Sequence, residues 1–177
     1  LRARYYYLKG FEMVFNQAPF TDVLFHFDQL LMSKTTDTVF QLLAYTGIGI
    51  AYAREAELEK AEVYFDKVFS EIYTYPIQTT EDIWRVLNIV FHCGVFYAQT
   101  NDLETSNALL NYAIAICSEN HLTYYLARAA AQLAKNAQAA GEPASVILEL
   151  IQDALAFAKI NKNRLLINEL NQMKKQL

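Results

Sequence analysis

Small residues recurring at helical spacing opposite aromatic ones constrain this chain more than any other feature. Tyr45, Ile48, Gly49 and Tyr52 lie within two turns of a helix, and Leu58-Glu59-Lys60-Ala61, Phe65 and Val68 follow after a short break. A small residue at Gly49 and another at Ala61 let two helices approach closely, while Tyr52 and Phe65 fill the gap above and below. The order returns with Val90, Cys93, Gly94 and Tyr97, then Asn101-Asp102-Leu103-Glu104, Ser106, Leu110 and Ala113. A third copy carries Ala130, Leu133, Ala134 and Ala137 and continues through Gly141 to Ile147, Ile151 and Ala154, with one inserted residue. Tyr7, Gly10 and Val14 with Val23, Phe27 and Leu30 fit the pattern loosely as a first copy.

Between these copies the chain has only 5 glycines and 3 prolines, and no alternating apolar run bounded by turn residues. The apolar period is helical throughout. It predicts about nine helices, near 3–16, 20–32, 36–54, 58–73, 80–100, 103–119, 122–140, 144–159 and 162–176. Thr79 with Asp82, and Asn101 with Glu104, have the spacing of capping boxes, in which side-chain oxygens satisfy the orphan N–H groups of a helix start. Gly141 suits a left-handed helix end, and Pro143 the first turn of the next helix. Connections this short make antiparallel hairpins.

The repeat resembles the tetratricopeptide (TPR) pattern, W-x2-L-G-x2-Y followed by A-x3-F, with Tyr45 in the Trp place, Ile48 in the Leu place, and Gly49, Tyr52, Ala61 and Phe65 matching. The resemblance implies an all-α superhelical array of about four degenerate TPR-like hairpins, closed by a C-terminal capping helix. Gly49 and Gly94 are 45 residues apart, against about 34 in the standard repeat, which points to a specialised form with longer helices. No linker interrupts 1–177, so a single domain is expected. Leu1 is not a start methionine, and the chain reads as a fragment of a longer protein.

Charge and composition narrow the function. The net charge is −4, a surface that repels a phosphate backbone, so DNA contact is expected only through a missing N-terminal part. No run of about 20 residues is free of charged side chains, so no membrane partner is expected. Leu1–Gly10 carries Arg2, Arg4 and Lys9 among tyrosines, unlike a secretory signal. The two cysteines, Cys93 and Cys117, lie inside apolar helical pattern and read as reduced thiols of a cytoplasmic protein. The histidines His26, His92 and His121 are not at metal spacing, and no nucleophile–base pair can be named. Neither enzyme, metal nor cofactor is therefore expected. The Gly47-x-Gly49 pair reads as a helix-packing device, and Glu55, Glu57, Glu59 and Glu62 as a solvated hairpin rim. Tyr5, Tyr6 and Tyr7 cannot all face one way on a helix, so at least one leaves the core stripe.

Stacked hairpins line a concave face with the first helix of each pair. The positions predicted to face inward are Leu43, Thr46, Gly47, Ile50, Ala53 and Arg54, then Asn88, Phe91, His92, Val95, Ala98 and Gln99, then Arg128, Ala131, Gln132, Lys135 and Gln138. Of these, Thr46, Ile50, Arg54, Asn88, Phe91, His92, Val95, Gln99, Arg128, Gln132 and Lys135 are the candidate peptide-binding residues. A carboxamide can both donate to and accept from an extended peptide backbone. Arg and Lys suit a carboxylate. The plain alternative is a hydrated polar helix face.

The chain also resembles the C-terminal sensor domain of the Rgg/PlcR/NprR-type regulators of Gram-positive bacteria, which carry an Xre-family helix-turn-helix. The resemblance rests on Tyr45–Tyr52, Glu59-Lys60-Ala61 with Tyr64-Phe65, and Ile83-Trp84-Arg85-Val86-Leu87. It continues through Cys117 within Ile114–Glu119, Thr123-Tyr124-Tyr125-Leu126-Ala127-Arg128 and Asp153-Ala154-Leu155-Ala156-Phe157-Ala158-Lys159. It implies a cytoplasmic quorum-sensing transcription regulator, a homodimer, whose repeat domain binds a short signalling peptide and controls an N-terminal helix-turn-helix. The last helix, with Leu165, Leu166, Leu170, Met173 and Leu177, would cap the array or join the dimer contact. The rival readings are a TPR scaffold that docks a protein partner and a Rap-type phosphatase or anti-activator repeat domain.

Overall fold

A computed structural model describes residues 1–34 and 37–177. Among these residues the chain forms nine α-helices and no strand: α1 (Arg2–Phe15), α2 (Phe20–Met32), α3 (Thr38–Arg54), α4 (Leu58–Ile72), α5 (Thr80–Gln99), α6 (Leu103–Glu119), α7 (Tyr124–Ala139), α8 (Ala144–Ile160) and α9 (Arg164–Lys175). The predicted boundaries agree within two residues. The expected start of the third helix at position 36 lies outside the described residues. Contacts divide the chain into two compact units, Leu1–Phe96 and Tyr97–Leu177, the division falling within the span of α5.

Helix ends explain why the hairpins turn where they do. Gln17, Ala56, Asn101, His121, Gly141 and Lys162 all have positive φ. At each, the next residue's N–H reaches back to a carbonyl five residues earlier, as in Ala18 N–H to Met13 O and Glu57 N–H to Tyr52 O. This is the left-handed stop that satisfies orphan carbonyls at a helix C-terminus. Asn101 therefore closes α5 rather than capping α6. Asp102 is the cap, its carboxylate accepting from Thr105 N–H at 3.1 Å. Thr79 and Asp82 do form the reciprocal box, with Asp82 N–H donating to Thr79 Oγ1 at 3.1 Å and Thr79 N–H to Asp82 Oδ2 at 2.9 Å. Pro143 stands just before α8 rather than within its first turn.

In the first unit, the core is built on aromatic rings seated against glycines. Phe27 of α2 is fully buried. A Cβ built on Gly10 of α1 would come within 2.8 Å of its ring, and one on Gly47 of α3 within 2.1 Å. Phe65 of α4 lies in the same way against Gly49 and stacks on Phe96 of α5 at 4.4 Å. Burying a side chain of this size contributes roughly 2–3 kcal/mol, and the glycines make the seats. Gly47 is thus a packing position against the preceding hairpin and does not face a groove.

The second unit closes around Ala127, Ala131, Ala134, Ile147, Ile151, Ala154, Leu155, Ala158, Leu166, Leu170 and Met173, contributed by α7, α8 and α9. A polar knot ties α7 to α6. Buried Asn136 donates to Ser106 Oγ and Asn107 Oδ1, both at 2.8 Å, and accepts from Gln132 Nε2 at 3.0 Å. All its hydrogen-bonding demands being met inside, the knot fixes the register of the two helices. Thr123 and Asn161 exchange two further bonds at 2.7 and 2.9 Å, holding the end of α8 beside the start of α7.

Candidate functional site

In the first unit, α1 runs beside α5 as well as against its own hairpin. Arg4 pairs with Glu81 at 2.8 Å. Seven to eleven residues along α1, the Phe11 and Phe15 rings lie 6.5 and 6.1 Å from His92. Tyr7, between these points, meets Phe40 of α3 edge-on at 6.3 Å. An aromatic face of α1 therefore flanks the stretch of α5 from Glu81 to His92. Its spacing, Tyr7, Phe11 and Phe15, was visible in the sequence, but α1 was not among the helices assigned to the site.

Asn88 lies within that flanked stretch, one turn before His92. Only 6% of it is exposed, and its Oδ1 is buried with no hydrogen-bond partner among the described residues. A buried acceptor left unmatched costs about 1–3 kcal/mol, and nearly all such groups in folded proteins are matched. Phe91, beside it, is 8% exposed and meets His92 edge-on at 5.3 Å. Ile50 of α3 and Val95 of α5 are half-buried.

The start of α5 is held by a charged cluster. Burial pushes the Asp82 carboxyl up, but hydrogen bonds from Thr79 and Gln78 and the Arg85 charge outweigh it and hold the group below the usual carboxylate range. The Tyr75 hydroxyl lies 3.1 Å from Asp37 Oδ1 and 3.4 Å from Asp82 Oδ1. Burial, then the two carboxylates, raises its pKa. Arg85 pairs with Glu81 at 2.9 Å, lies 3.6 Å from Asp82, and sits over the Phe40 ring at 4.9 Å. These contacts fix the first turns of α5.

Several candidate residues have structural work instead. Thr46 is fully buried, its hydroxyl donating to Leu42 O at 2.8 Å, so it cannot meet a ligand. Leu43 is likewise fully buried. Arg54 is exposed and donates from Nη1 to Val14 O at 3.3 Å, tying the end of α3 to the end of α1. In the second unit, Gln132 donates its amide to Asn136, and Lys135 is ion-paired with Glu169 of α9 at 2.5 Å. Arg128 differs: its guanidinium lies 4.7 Å from the Tyr124 ring centroid, and its Nε is buried with no hydrogen-bond partner among the described residues. Gln99 is exposed at the end of α5.

The helix hairpins and their small–aromatic seats define a TPR-like helical repeat protein. No family model and no curated protein matches the chain. Among solved structures it is similar to Bacillus thuringiensis PlcR in complex with the peptide PapR7 and DNA, with a TM-score of 0.74 at 16% identity. That match covers 95% of this chain and 58% of PlcR, so the chain spans less than two thirds of PlcR's length. It is also similar to a kinesin-light-chain-like protein of Podospora anserina with nearly identical TPR-like repeats, at a TM-score of 0.66 and 14% identity, covering 99% of this chain and 94% of that one. Among the described residues no helix is long and apolar enough to cross a membrane.

Proposed function

We propose that this chain is the ligand-sensing part of a cytoplasmic, homodimeric transcription regulator, and that it binds a short signalling peptide on the face of α5 beside α1. The observation that carries the reading is the buried, unmatched Oδ1 of Asn88. An extended peptide brings backbone N–H donors every residue, and one of them meeting this carboxamide, once the side chain turns outward to receive it, removes the penalty of leaving it unmatched. Phe91, His92 and Val95 follow Asn88 at helical spacing on the same side of α5, and such a pairing of a buried polar anchor with aromatic and apolar neighbours suits a ligand site. The likeness to PlcR, solved with a peptide and with DNA, supports the same class of partner.

Peptide binding regulates only through different affinity for two arrangements of the protein. The arrangement that leaves Asn88 unmatched is favoured less once a peptide fills it, and an N-terminal helix-turn-helix would read that shift. The likeness to TPR-like repeats over 94% of another chain supports the rival reading, an adaptor that docks a protein partner. The coding sequence directly upstream of Leu1 separates the two. A helix-turn-helix of about 60–70 residues there supports the regulator, whereas an unrelated domain supports the adaptor.

A further inference from the structure

A second feature of the first unit begins one turn before Asn88 on α5, at Arg85, and reaches to the ends of α1 and α2. A cavity of about 750 Å³ opens between the start of α1, the end of α2, Phe40 of α3 and Arg85 of α5. Its lining includes four cationic side chains, Arg2, Arg4, Lys34 and Arg85, and among the described residues no acidic one. In a chain of net charge −4, such a concentration is not an average patch of surface. We propose that this cavity binds a small, multiply charged oxyanion of the organic-phosphate class, through cationic side chains that the peptide reading does not use.

The four cations fall into two pairs with different duties. Arg4 and Arg85 are both held by Glu81, at 2.8 and 2.9 Å, and Arg85 is further set over the Phe40 ring. Their guanidinium groups are therefore already ordered, which lowers the entropy lost when an anion arrives. Arg2 and Lys34 form no ion pair among the described residues; Arg2 only approaches the Tyr6 ring at 6.0 Å. These two exposed cations supply the uncompensated charge. Guanidinium forks match the paired oxygens of phosphate, and an ammonium adds a point charge. The volume lies within the range of about 300–1,000 Å³ usual for small-molecule sites. A long polyanion such as nucleic acid would have to cross the acidic remainder of the surface, which disfavours it.

The test uses the full chain in low-salt buffer, with inorganic tripolyphosphate and citrate as probes in isothermal titration calorimetry. Two double variants remove equal charge: Arg2→Gln with Lys34→Gln at the cavity, and Lys60→Gln with Lys67→Gln elsewhere on the first unit. Melting curves establish that each variant folds, as the exposure of all four residues leads one to expect. Saturable one-site tripolyphosphate binding, weakened roughly tenfold or more by the cavity variant and unchanged by the control, bears the proposal out. Equal weakening by both variants means diffuse attraction and overturns it, as does the absence of saturable heat. Citrate binding more tightly than tripolyphosphate overturns the phosphate assignment.

Discussion

Gly47→Ala tests the packing of the first unit with an unusual sign. In the middle of a helix, replacing glycine by alanine ordinarily stabilises by about 1 kcal/mol through backbone entropy and propensity. Here the added methyl would fall 2.1–2.4 Å from three ring atoms of Phe27, well inside contact distance. The ring has nowhere to go. It is fully buried, lies close against Gly10 on α1, and meets Phe11 edge-on at 5.1 Å. Overpacking of this kind costs about 1–3 kcal/mol, and a trapped ring places this site at the upper end. Subtracting the propensity gain leaves a net loss of about 2 kcal/mol, equivalent to a Tm lower by about 4–8 °C for a chain of this size. Differential scanning calorimetry reads it directly. Adding Phe27→Leu makes room for the methyl, so the double variant is expected to lose less than the sum of the two single changes. A Tm that rises in Gly47→Ala, or strict additivity in the double variant, would refute the seat of Phe27.

Three further outcomes follow from local geometry. Ala56 ends α3 at φ +60, a conformation that costs a non-glycine residue about 1–2 kcal/mol; chemical denaturation of Ala56→Gly should show a gain of about 0.5–1 kcal/mol once the flexible unfolded chain is allowed for. Asp82→Ala removes the box at the start of α5 and should cost about 1–2 kcal/mol at neutral pH. Because the Asp82 pKa is depressed in the fold, its stabilisation is present above the unfolded carboxylate pKa of about 3.9 and is lost as pH falls through the lower folded value. Melting curves of wild type and variant should therefore converge in acid. Both thiols are buried, Cys93 pushed up strongly and Cys117 to about 11; a thiol reagent at pH 8 should leave both unmodified until denaturant is added, and fast labelling of the native protein would contradict the packing.

The helices were legible because their signals are local. The Thr79–Asp82 box and the left-handed Gly141 follow from residues a few positions apart, and the Gly49–Phe65 seat from two neighbouring helices of one hairpin. The places of the other helix ends were legible too, but not their left-handed conformation, which Gln17, Ala56, His121 and Lys162 adopt without being glycine. The facing of α3 was also hidden. Val39, Leu42, Leu43, Ala44, Thr46, Ile48 and Ala51 are all buried along it, and a helix apolar on nearly every side has no polar face to mark an outside. Thr46 and Gly47 therefore read as groove positions from spacing alone, although both are buried. The approach of α1 to α5 joins residues 77 apart at the Arg4–Glu81 pair, and no local spacing encodes such a contact. Asn88 was one of several inward-facing carboxamides in the sequence, with Gln99 and Gln132, but only the fold shows that its oxygen is unmatched.

If Asn88 is held unmatched for a ligand, an Asn88→Leu variant separates its stability from its peptide binding. Short peptides selected from a random library on the wild-type chain would be measured for affinity against both proteins, alongside their melting curves without peptide. Asn88→Leu should melt higher, because a similar-sized apolar group relieves an unmatched acceptor worth about 1–3 kcal/mol, while the selected peptides should bind it at least roughly tenfold more weakly. A variant that melts lower and binds the peptides as tightly as the wild type would show Asn88 to be a packing residue, and the site on α5 would fall with it.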